Sequence, residues 1–249
     1  MASSAAFQTI GGFINRKPAD RVAGQPVFVL RARPWSETSL LVDFLTRDFG
    51  RVTARARGAK RPTSPWRGIL AEFCPLLAGW SGSGATKTLT KLEWMGGYAP
   101  VEGESLLSAF YLNELVMRFT APEDPQDGLF EAYWEALRVL SGQKEGVPVE
   151  AALRTFELRL LALSGYGLPN AFEDGVYELR GAELVPVAGT AADGLSRFSA
   201  KTLRQIVKAD FSAPATAKAA KALLRSVIAS LAGDRPIRTR RILAELRKL

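Results

Sequence analysis

Histidine is absent from the 249 residues, and cysteine occurs only once, as Cys74. Without histidine, the chain cannot build a Ser-His or Cys-His nucleophilic pair or a histidine metal site. A single cysteine permits no intrachain disulfide and no zinc finger, so we expect a reducing, cytoplasmic environment. No apolar run reaches the roughly 18–20 residues that a membrane helix needs, and we expect no membrane partner. No secretory signal is expected either, because no basic segment precedes an apolar core near the N-terminus.

Acidic residues are missing from residues 51–68, RVTARARGAKRPTSPWRG, which carry six positive charges. The formal net charge of +8 is also unevenly distributed: residues 21–100 carry +7, residues 101–196 carry −10 and residues 197–249 carry +10. This excess favours a polyanionic partner. Pairing between the acidic middle and the basic C-terminal segment is an alternative explanation for the last excess, but it cannot explain the first.

Sequence motifs for enzymatic turnover are weak. The stretch GSGATKT, residues 82–88, has Thr86 where a P-loop needs glycine before its lysine, so we interpret it as a hairpin turn. Glu123 and Asp124 are paired carboxylates beside prolines, which we interpret as solvated caps. A magnesium-dependent nuclease that relies on carboxylates alone is a minor alternative. We expect no enzyme activity, no cofactor and no bound metal.

Apolar periodicity divides the chain into two domains. Residues 25–101 contain β-rich runs separated by glycine turns, and five short strands of this kind predict a small barrel. Residues 102–249 show helical periodicity, with Asp127 and Ser199 as predicted N-caps, Pro214 opening a further helix, and a turn-rich insert near 168–196. Residues 1–24 are rich in small residues and predict a flexible extension.

The run RVTARARG alternates strictly, which places Arg51, Arg55 and Arg57 on one face of a strand. Alternate residues of a strand lie roughly 6.6–6.8 Å apart, close to the spacing of phosphates on an extended single strand. Trp35 and Trp66 could stack on bases beside this face, with burial in the core as the alternative for each. An ordinary solvated strand face is the alternative for the arginines. We prefer the nucleic-acid interpretation because no acidic residue interrupts the face.

Several segments resemble the RecO family of recombination mediator proteins. They include VLRARPWSETSLLVDFLTRDFGRV, ARGAKRP, FCPLLAGWSGSGATKTLTKLEW, FYLNELVMRF, LRTFELRLLALSGYGL and DRPIRTRRILAEL, in order from about residue 27 to the end. The resemblance implies an α+β chain with an N-terminal five-stranded OB-fold barrel and an α-helical C-terminal domain. It implies binding of single- and double-stranded DNA, annealing of complementary strands, and action with RecR to load RecA on DNA coated by the single-stranded DNA-binding protein. The cytoplasmic nucleoid is the expected location.

With this resemblance, the basic residues of the barrel are predicted to line a DNA path, with Lys87 and Lys91 extending it. A second DNA-contacting surface is predicted on two later helices, whose cations recur at i, i+3 and i+7. The predicted barrel residues are Arg51, Arg55, Arg57, Lys60, Arg61, Trp66, Arg67, Lys87 and Lys91, and those of the helices are Lys201, Arg204, Lys208, Lys218, Lys221 and Arg225.

The resemblance also implies a site for the acidic C-terminal tail of the single-stranded DNA-binding protein. We carry over Arg154 as its cation, and Leu129, Phe130 and Tyr133 as a possible socket wall. An ion pair of Arg154 with Glu150 or Glu157 is the alternative. Many relatives carry a cysteine zinc motif after the third helix, but residues 164–196 contain neither cysteine nor histidine, so no zinc finger is expected. Charge and barrel alone also suit an RNA-binding OB-fold protein, which is the rival binding hypothesis.

Overall fold

The computed structural model describes residues 21–190 and 196–246. Contacts divide the chain into two compact units. Of the described residues, the first unit holds those up to Pro100 together with Pro122–Pro125, and the second holds Val101–Ala121 and those from Gln126 onward. Most of the predicted N-terminal extension lies outside the described residues. Its last four residues, 21–24, belong to the first strand, whereas the sequence analysis starts the barrel at residue 25.

The first unit is a closed five-stranded barrel with the strand order β1-β2-β3-β5-β4, which is the order of the OB-fold. All neighbouring strands are antiparallel except β3 and β5, which run parallel. The long strand β1 pairs with β4 through its first half and with β2 through its second half, and a register shift interrupts each pairing. The strands are β1 (Arg21–Pro34), β2 (Leu40–Thr46), β3 (Gly50–Ala56), β4 (Leu76–Ser81) and β5 (Thr86–Trp94).

The barrel interior is filled by small and branched residues around two large rings, Phe44 and Trp80. Trp80 meets Phe49 edge to face, with their ring centroids 5.4 Å apart. Gly50 closes the turn between β2 and β3 with a φ of +63°. A Cβ atom there would lie only 2.3 Å from the carbonyl oxygen of Asp124, so both the turn and this close approach require glycine.

The second unit is mainly helical. Its helices are α1 (Ser105–Phe119), α2 (Leu129–Leu140), α3 (Val149–Leu163), α4 (Ala200–Val207), α5 (Pro214–Ala232) and α6 (Arg238–Leu246). Each longer helix buries one apolar stripe, and the core they form includes Leu112, Phe156 and Leu223. Within residues 21–190 and 196–246, no helix has the length and apolar character needed to cross a membrane.

Two of the three predicted helix starts are confirmed. The hydroxyl of Ser199 accepts a hydrogen bond from the backbone N–H of Thr202 at 3.1 Å, and Pro214 is the first residue of α5. The prediction for Asp127 is wrong. Gly128 is the N-cap of α2, with a left-handed backbone and no side-chain cap, and the Asp127 carbonyl instead accepts from Arg159 at 3.0 Å.

The turn-rich insert contains a small antiparallel sheet. Its strands are β6 (Val176–Arg180), β7 (Glu183–Val187) and β8 (Arg197–Ser199), in the order β7-β6-β8. The rings of Phe172 and Tyr177 meet edge to face at 5.1 Å, and Arg204 of α4 donates to the Phe172 carbonyl at 2.7 Å and to Asp174 at 2.6 Å. Aromatic packing and the hydrogen bonds of Arg204 therefore stabilise the insert.

Candidate nucleic-acid interface

The outer face of β3 carries the predicted arginines. Burial alternates along the strand, with Val52, Ala54 and Ala56 buried in the barrel and Arg51 and Arg55 partly exposed. Arg57, just beyond the strand, is exposed. The alternation predicted from the sequence is confirmed, because apolar residues at every second position can fill the barrel only if their neighbours point outward.

An acidic residue does interrupt this face, contrary to the sequence analysis. Asp43 of β2 lies directly opposite Thr53 of β3 and is only 2 % exposed. Its carboxylate accepts hydrogen bonds from Arg31 at 2.8 Å and from the Thr53 hydroxyl at 2.7 Å. Burial lowers the pKa of neighbouring Arg51, while the charge of Asp43 opposes that effect. The middle of the β3 face is thus partly neutralised, and the free positive charge lies toward Arg55 and beyond.

A surface groove of about 410 Å³ begins where β3 ends. One wall is the β1–β2 loop, residues 35–39, and the other contains the end of β3 and the chain that follows it. The groove is lined by Trp35, Ser36, Thr38, Ser39, Arg55, Arg57, Gly58 and Arg61. In OB-fold barrels the β2–β3 face and the β1–β2 loop are the usual surface for oligonucleotides, so this groove is the strongest candidate interface in the barrel.

Lys60 ties the two walls of the groove together. Its backbone N–H donates to the Thr38 carbonyl at 2.9 Å, and its ammonium donates to the Ser36 carbonyl at 3.0 Å. The lysine was predicted as a phosphate contact, and the structure adds this bracing role. Three guanidiniums, those of Arg55, Arg57 and Arg61, have no carboxylate within 4.0 Å among the residues that the structure describes.

The two tryptophans considered as stacking partners differ in position. Trp35 is 57 % exposed and lines the groove. Trp66 packs against the barrel core, and its indole N–H donates to the Arg57 carbonyl at 3.1 Å. Trp66 therefore holds the chain beyond β3 in place, and the core alternative describes it better than the stacking prediction. Trp35 is the ring available to a ligand.

Lys87 does not fit the predicted DNA path. It is 4 % exposed, and its ammonium is bound by Glu123 at 2.9 Å and by the Gly84 carbonyl at 2.9 Å. Glu123 is therefore an ion-pair partner rather than a solvated cap, and Pro122 forms a bridge to Arg51. Lys91 is exposed but pairs with Glu93 at 2.9 Å. The sequence analysis missed Glu123 as the partner of Lys87, because a charge 36 residues away leaves no local signal on the strand that it contacts. Glu93 lies on β5 itself, two residues from Lys91, and the sequence analysis did not consider this pair.

Arg67 lies exposed in the connection after β3, outside the lining of the groove. The loop residues Ser36, Thr38 and Ser39, which the groove does include, were absent from the predicted set. The only sequence signal for them is their position immediately after Trp35, in the β1–β2 connection.

The basic residues of α4 and α5 fall into two groups. Arg204 bonds Asp174, and Lys221 pairs with Glu150 of α3 at 2.7 Å. The others, Lys201, Lys208, Lys218 and Arg225, are exposed and have no ion pair with any described residue. The alternative of pairing with the acidic segment thus applies to two of these six residues, and four cations face solvent.

The residues carried over as a tail-binding site lie in the helical core. Arg154 is 6 % exposed and donates to Glu157 at 2.7 Å, which is the ion-pair alternative considered from the sequence. Leu129, Phe130 and Tyr133 are equally buried, and the Tyr133 hydroxyl donates to Asn113 at 2.5 Å. In this fold none of them presents a surface to a peptide, because their side chains are used to pack α1, α2 and α3 together.

Metal ligands do not converge in the described ranges: residues 21–190 and 196–246 hold no group of three or more Cys, Asp or Glu side chains that could bind an ion. The insert that follows α3 is held by the β6–β8 sheet and by the Arg204 contacts.

Both units match models of known protein families. A family model described as recombination protein O N terminal matches residues 23–98, and one described as recombination protein O C terminal matches residues 101–241. Among curated relatives, a DNA repair protein RecO from Aromatoleum aromaticum is 43% identical over 241 residues, which covers 92% of this chain and 98% of the relative. One from Ralstonia nicotianae is 41% identical over 249 residues, covering 96% of this chain and 90% of the relative. One from Burkholderia pseudomallei is 40% identical over 238 residues, covering 92% of this chain and 86% of the relative.

Proposed function

The chain belongs to the RecO family of DNA repair proteins, and from this premise we propose that it is a DNA-binding factor of recombinational repair that acts without catalytic turnover. In this proposal it binds single- and double-stranded DNA and anneals complementary strands. With RecR, it helps RecA to load on DNA coated by the single-stranded DNA-binding protein. We place this activity in the cytoplasm, at the nucleoid.

The observation that carries the DNA-binding proposal is the groove at the end of β3. Arg55, Arg57 and Arg61 line it without a carboxylate partner among the described residues, and a braced loop forms the opposite wall. Unpaired guanidiniums close together repel one another, and phosphates relieve that repulsion while releasing counterions from the nucleic acid. A groove of this kind binds a phosphate backbone with little dependence on sequence.

A second cationic surface supports the annealing part of the proposal. Lys201 and Lys208 of α4 and Lys218 and Arg225 of α5 are exposed and unpaired with described acids. Two separate cationic surfaces on one chain raise the local concentration of one strand near another and lower the repulsion between their backbones. We propose that the acidic C-terminal tail of the single-stranded DNA-binding protein also binds among these exposed cations, because Arg154 is buried.

Replacement of Arg55 and Arg57 by alanine tests the groove directly. Affinity for a short fluorescent single strand is measured by anisotropy over a range of salt concentrations. We expect weaker binding and a salt dependence that is flatter by about 1.4 in log–log slope, because each lost phosphate contact removes roughly 0.7. Arg47→Ala is the matched control, because Arg47 already pairs with Asp48 at 3.0 Å in the β2–β3 turn.

An unchanged affinity and slope in the double variant would contradict the proposed interface. The same titration with an RNA strand of identical sequence distinguishes the DNA-binding proposal from the rival hypothesis of an RNA-binding OB-fold protein. Tighter binding of RNA than of DNA would favour the rival. Annealing of complementary strands coated with the cognate single-stranded DNA-binding protein then tests the mediator activity itself.

A further inference from the structure

The exposure of Trp35 is not explained by the packing of the barrel. The interior of the barrel is filled by residues such as Phe44 and Trp80, and 57 % of Trp35 is open to solvent. It follows β1 directly and lines the same groove as Arg55, Arg57 and Arg61. A large ring left in water beside a cluster of cations offers a flat apolar surface where a ligand with negative charges would be held.

The loop that carries Trp35 is stabilised by hydrogen bonds of its own. The backbone N–H of Trp35 donates to the Ser39 carbonyl at 3.1 Å, and the N–H of Ser39 donates to the Ser36 hydroxyl at 3.2 Å. Lys60 fixes the same loop to the other wall through the Ser36 and Thr38 carbonyls. The ring therefore stands on a prearranged rim, which lowers the entropy lost when a ligand stacks on it.

The barrel has a second exposed tryptophan that serves as a comparison. Trp94 is 62 % exposed, at the end of β5, and does not line the groove. Exposure alone therefore does not distinguish Trp35. Its distinction is the combination of a free ring with Arg55, Arg57 and Arg61 around one groove of about 410 Å³. That volume is at the lower end of the range for small-ligand sites and suits a single nucleotide.

We propose that the groove is a subsite for one unpaired nucleotide, whose base stacks on Trp35 while the flanking phosphates meet the three arginines. The inference rests on the proposed DNA-binding function and adds a preference for single strands. A base inside a duplex is stacked on both faces and paired at its edge, so it cannot reach the ring without being unpaired. The arginines bind either form of DNA, and Trp35 favours the single strand.

The test measures affinities of Trp35→Ala, Trp35→Phe and Trp94→Ala for a single strand, for a duplex, and for a single strand with abasic sites. Base stacking on an aromatic ring is typically lost at a cost that corresponds to about a 5- to 150-fold weaker affinity. We expect Trp35→Ala to show this loss on the single strand, with duplex affinity within about twofold of wild type. Trp35→Phe should retain most of the affinity, and Trp94→Ala should bind like wild type.

The abasic strand distinguishes stacking from a change in the loop. It keeps the phosphates and removes the bases, so the loss caused by Trp35→Ala should disappear on it, as in a double-mutant cycle. Equal losses on single strand, duplex and abasic strand would mean that Trp35 merely supports the loop, and would overturn the inference. No loss on the single strand would overturn it as well. Failure of the wild-type chain to bind any of the three would instead count against the proposed function.

Discussion

Glu157 is completely buried in the helical unit, where three side chains share one of its oxygens. Oε1 accepts from the Tyr111 hydroxyl at 2.5 Å and from Arg154 at 2.7 Å, and it lies 3.4 Å from the Arg240 guanidinium. Oε2 has no hydrogen-bond partner among the described residues. Burial raises the pKa of Glu157 above its ordinary value, although the two arginines and the tyrosine hydrogen bond oppose the rise. Removal of a carboxylate from water thus outweighs its pairing.

The raised pKa of Glu157 makes a prediction about the pH dependence of stability. The folded chain keeps a proton that the unfolded chain loses near pH 4.5. The contribution of Glu157 to the free energy of unfolding is therefore largest below that pH and falls as pH rises through the folded pKa. Glu157→Gln cannot ionise. We therefore expect the wild type to lose stability relative to the variant as pH rises from about 4.5 through the folded pKa, by about 1.4 kcal/mol for each unit that separates the folded and unfolded pKa values. Urea unfolding at each pH measures this difference.

The control for this experiment is Glu150→Gln, which removes a half-exposed carboxylate paired with Lys221. It should shift stability by less than about 1 kcal/mol. If the stability of the wild type relative to Glu157→Gln were constant with pH, or increased as pH rises, the raised pKa would be contradicted.

At the scale of elements, α6 depends on a side chain from another helix for its start. The carboxylate of Glu114 in α1 accepts hydrogen bonds from the backbone N–H groups of Arg238 at 2.7 Å and Thr239 at 2.9 Å. It also accepts from the Thr239 hydroxyl at 2.8 Å. A carboxylate there satisfies free N–H groups and complements the positive end of the helix dipole. Arg240 then anchors α6 by donating to the Tyr111 hydroxyl and to the Arg225 carbonyl.

Glu114→Ala should loosen α6 selectively. Loss of an N-terminal cap typically costs about 0.5–2 kcal/mol, so amide hydrogen exchange in residues 238–246 should accelerate by up to about 30-fold. Exchange in α2 of this variant should be unchanged. The control variant is Glu131→Ala, which removes an exposed carboxylate from the first turn of α2 and should leave exchange in α6 unchanged. Wild-type protection of α6 in Glu114→Ala would show that its packing alone holds it.

At the scale of the whole molecule, charge is organised differently in the two units. In the helical unit, acidic residues of the middle segment bind cations of the C-terminal segment: Glu150 with Lys221, Asp174 with Arg204, Glu178 with Arg197 and Glu157 with Arg240. Internal pairing thus accounts for part of the charge contrast along the sequence. In the barrel unit, Arg31, Arg47, Lys87 and Lys91 pair with acidic residues, whereas Arg55, Arg57 and Arg61 line the groove at the end of β3 without a carboxylate partner among the described residues. The polyanion-binding hypothesis therefore rests mainly on the barrel.

A prediction at the same scale concerns metal. No cluster of metal-ligating side chains occurs in the described parts of the chain, and the insert that follows α3 is packed by Phe172, Tyr177 and Arg204. We expect elemental analysis of the purified protein to find no stoichiometric zinc, and a chelator to leave the Tm unchanged. Near one zinc per chain, or a Tm that drops by several degrees with chelator, would contradict this.

The amino-acid sequence by itself determined the features that depend on local pattern. The alternation in RVTARARG set which face of β3 carries arginine, and Ser199 and Pro214 set the starts of α4 and α5. These signals are local because a strand repeats every two residues and a cap acts within one helical turn. The order of strands and helices, and thus the barrel followed by a helical unit, could be predicted in the same way.

Only the tertiary structure decided which of these side chains are free to bind. Lys87 and Arg55 both come from barrel strands, yet Glu123 neutralises one and no described acid neutralises the other. Trp35 and Trp66 have the same chemistry, but only one remains exposed in the groove. The partners in these cases lie many residues away. Periodicity reports where a side chain points relative to its own element, whereas its availability depends on what the rest of the chain places against it.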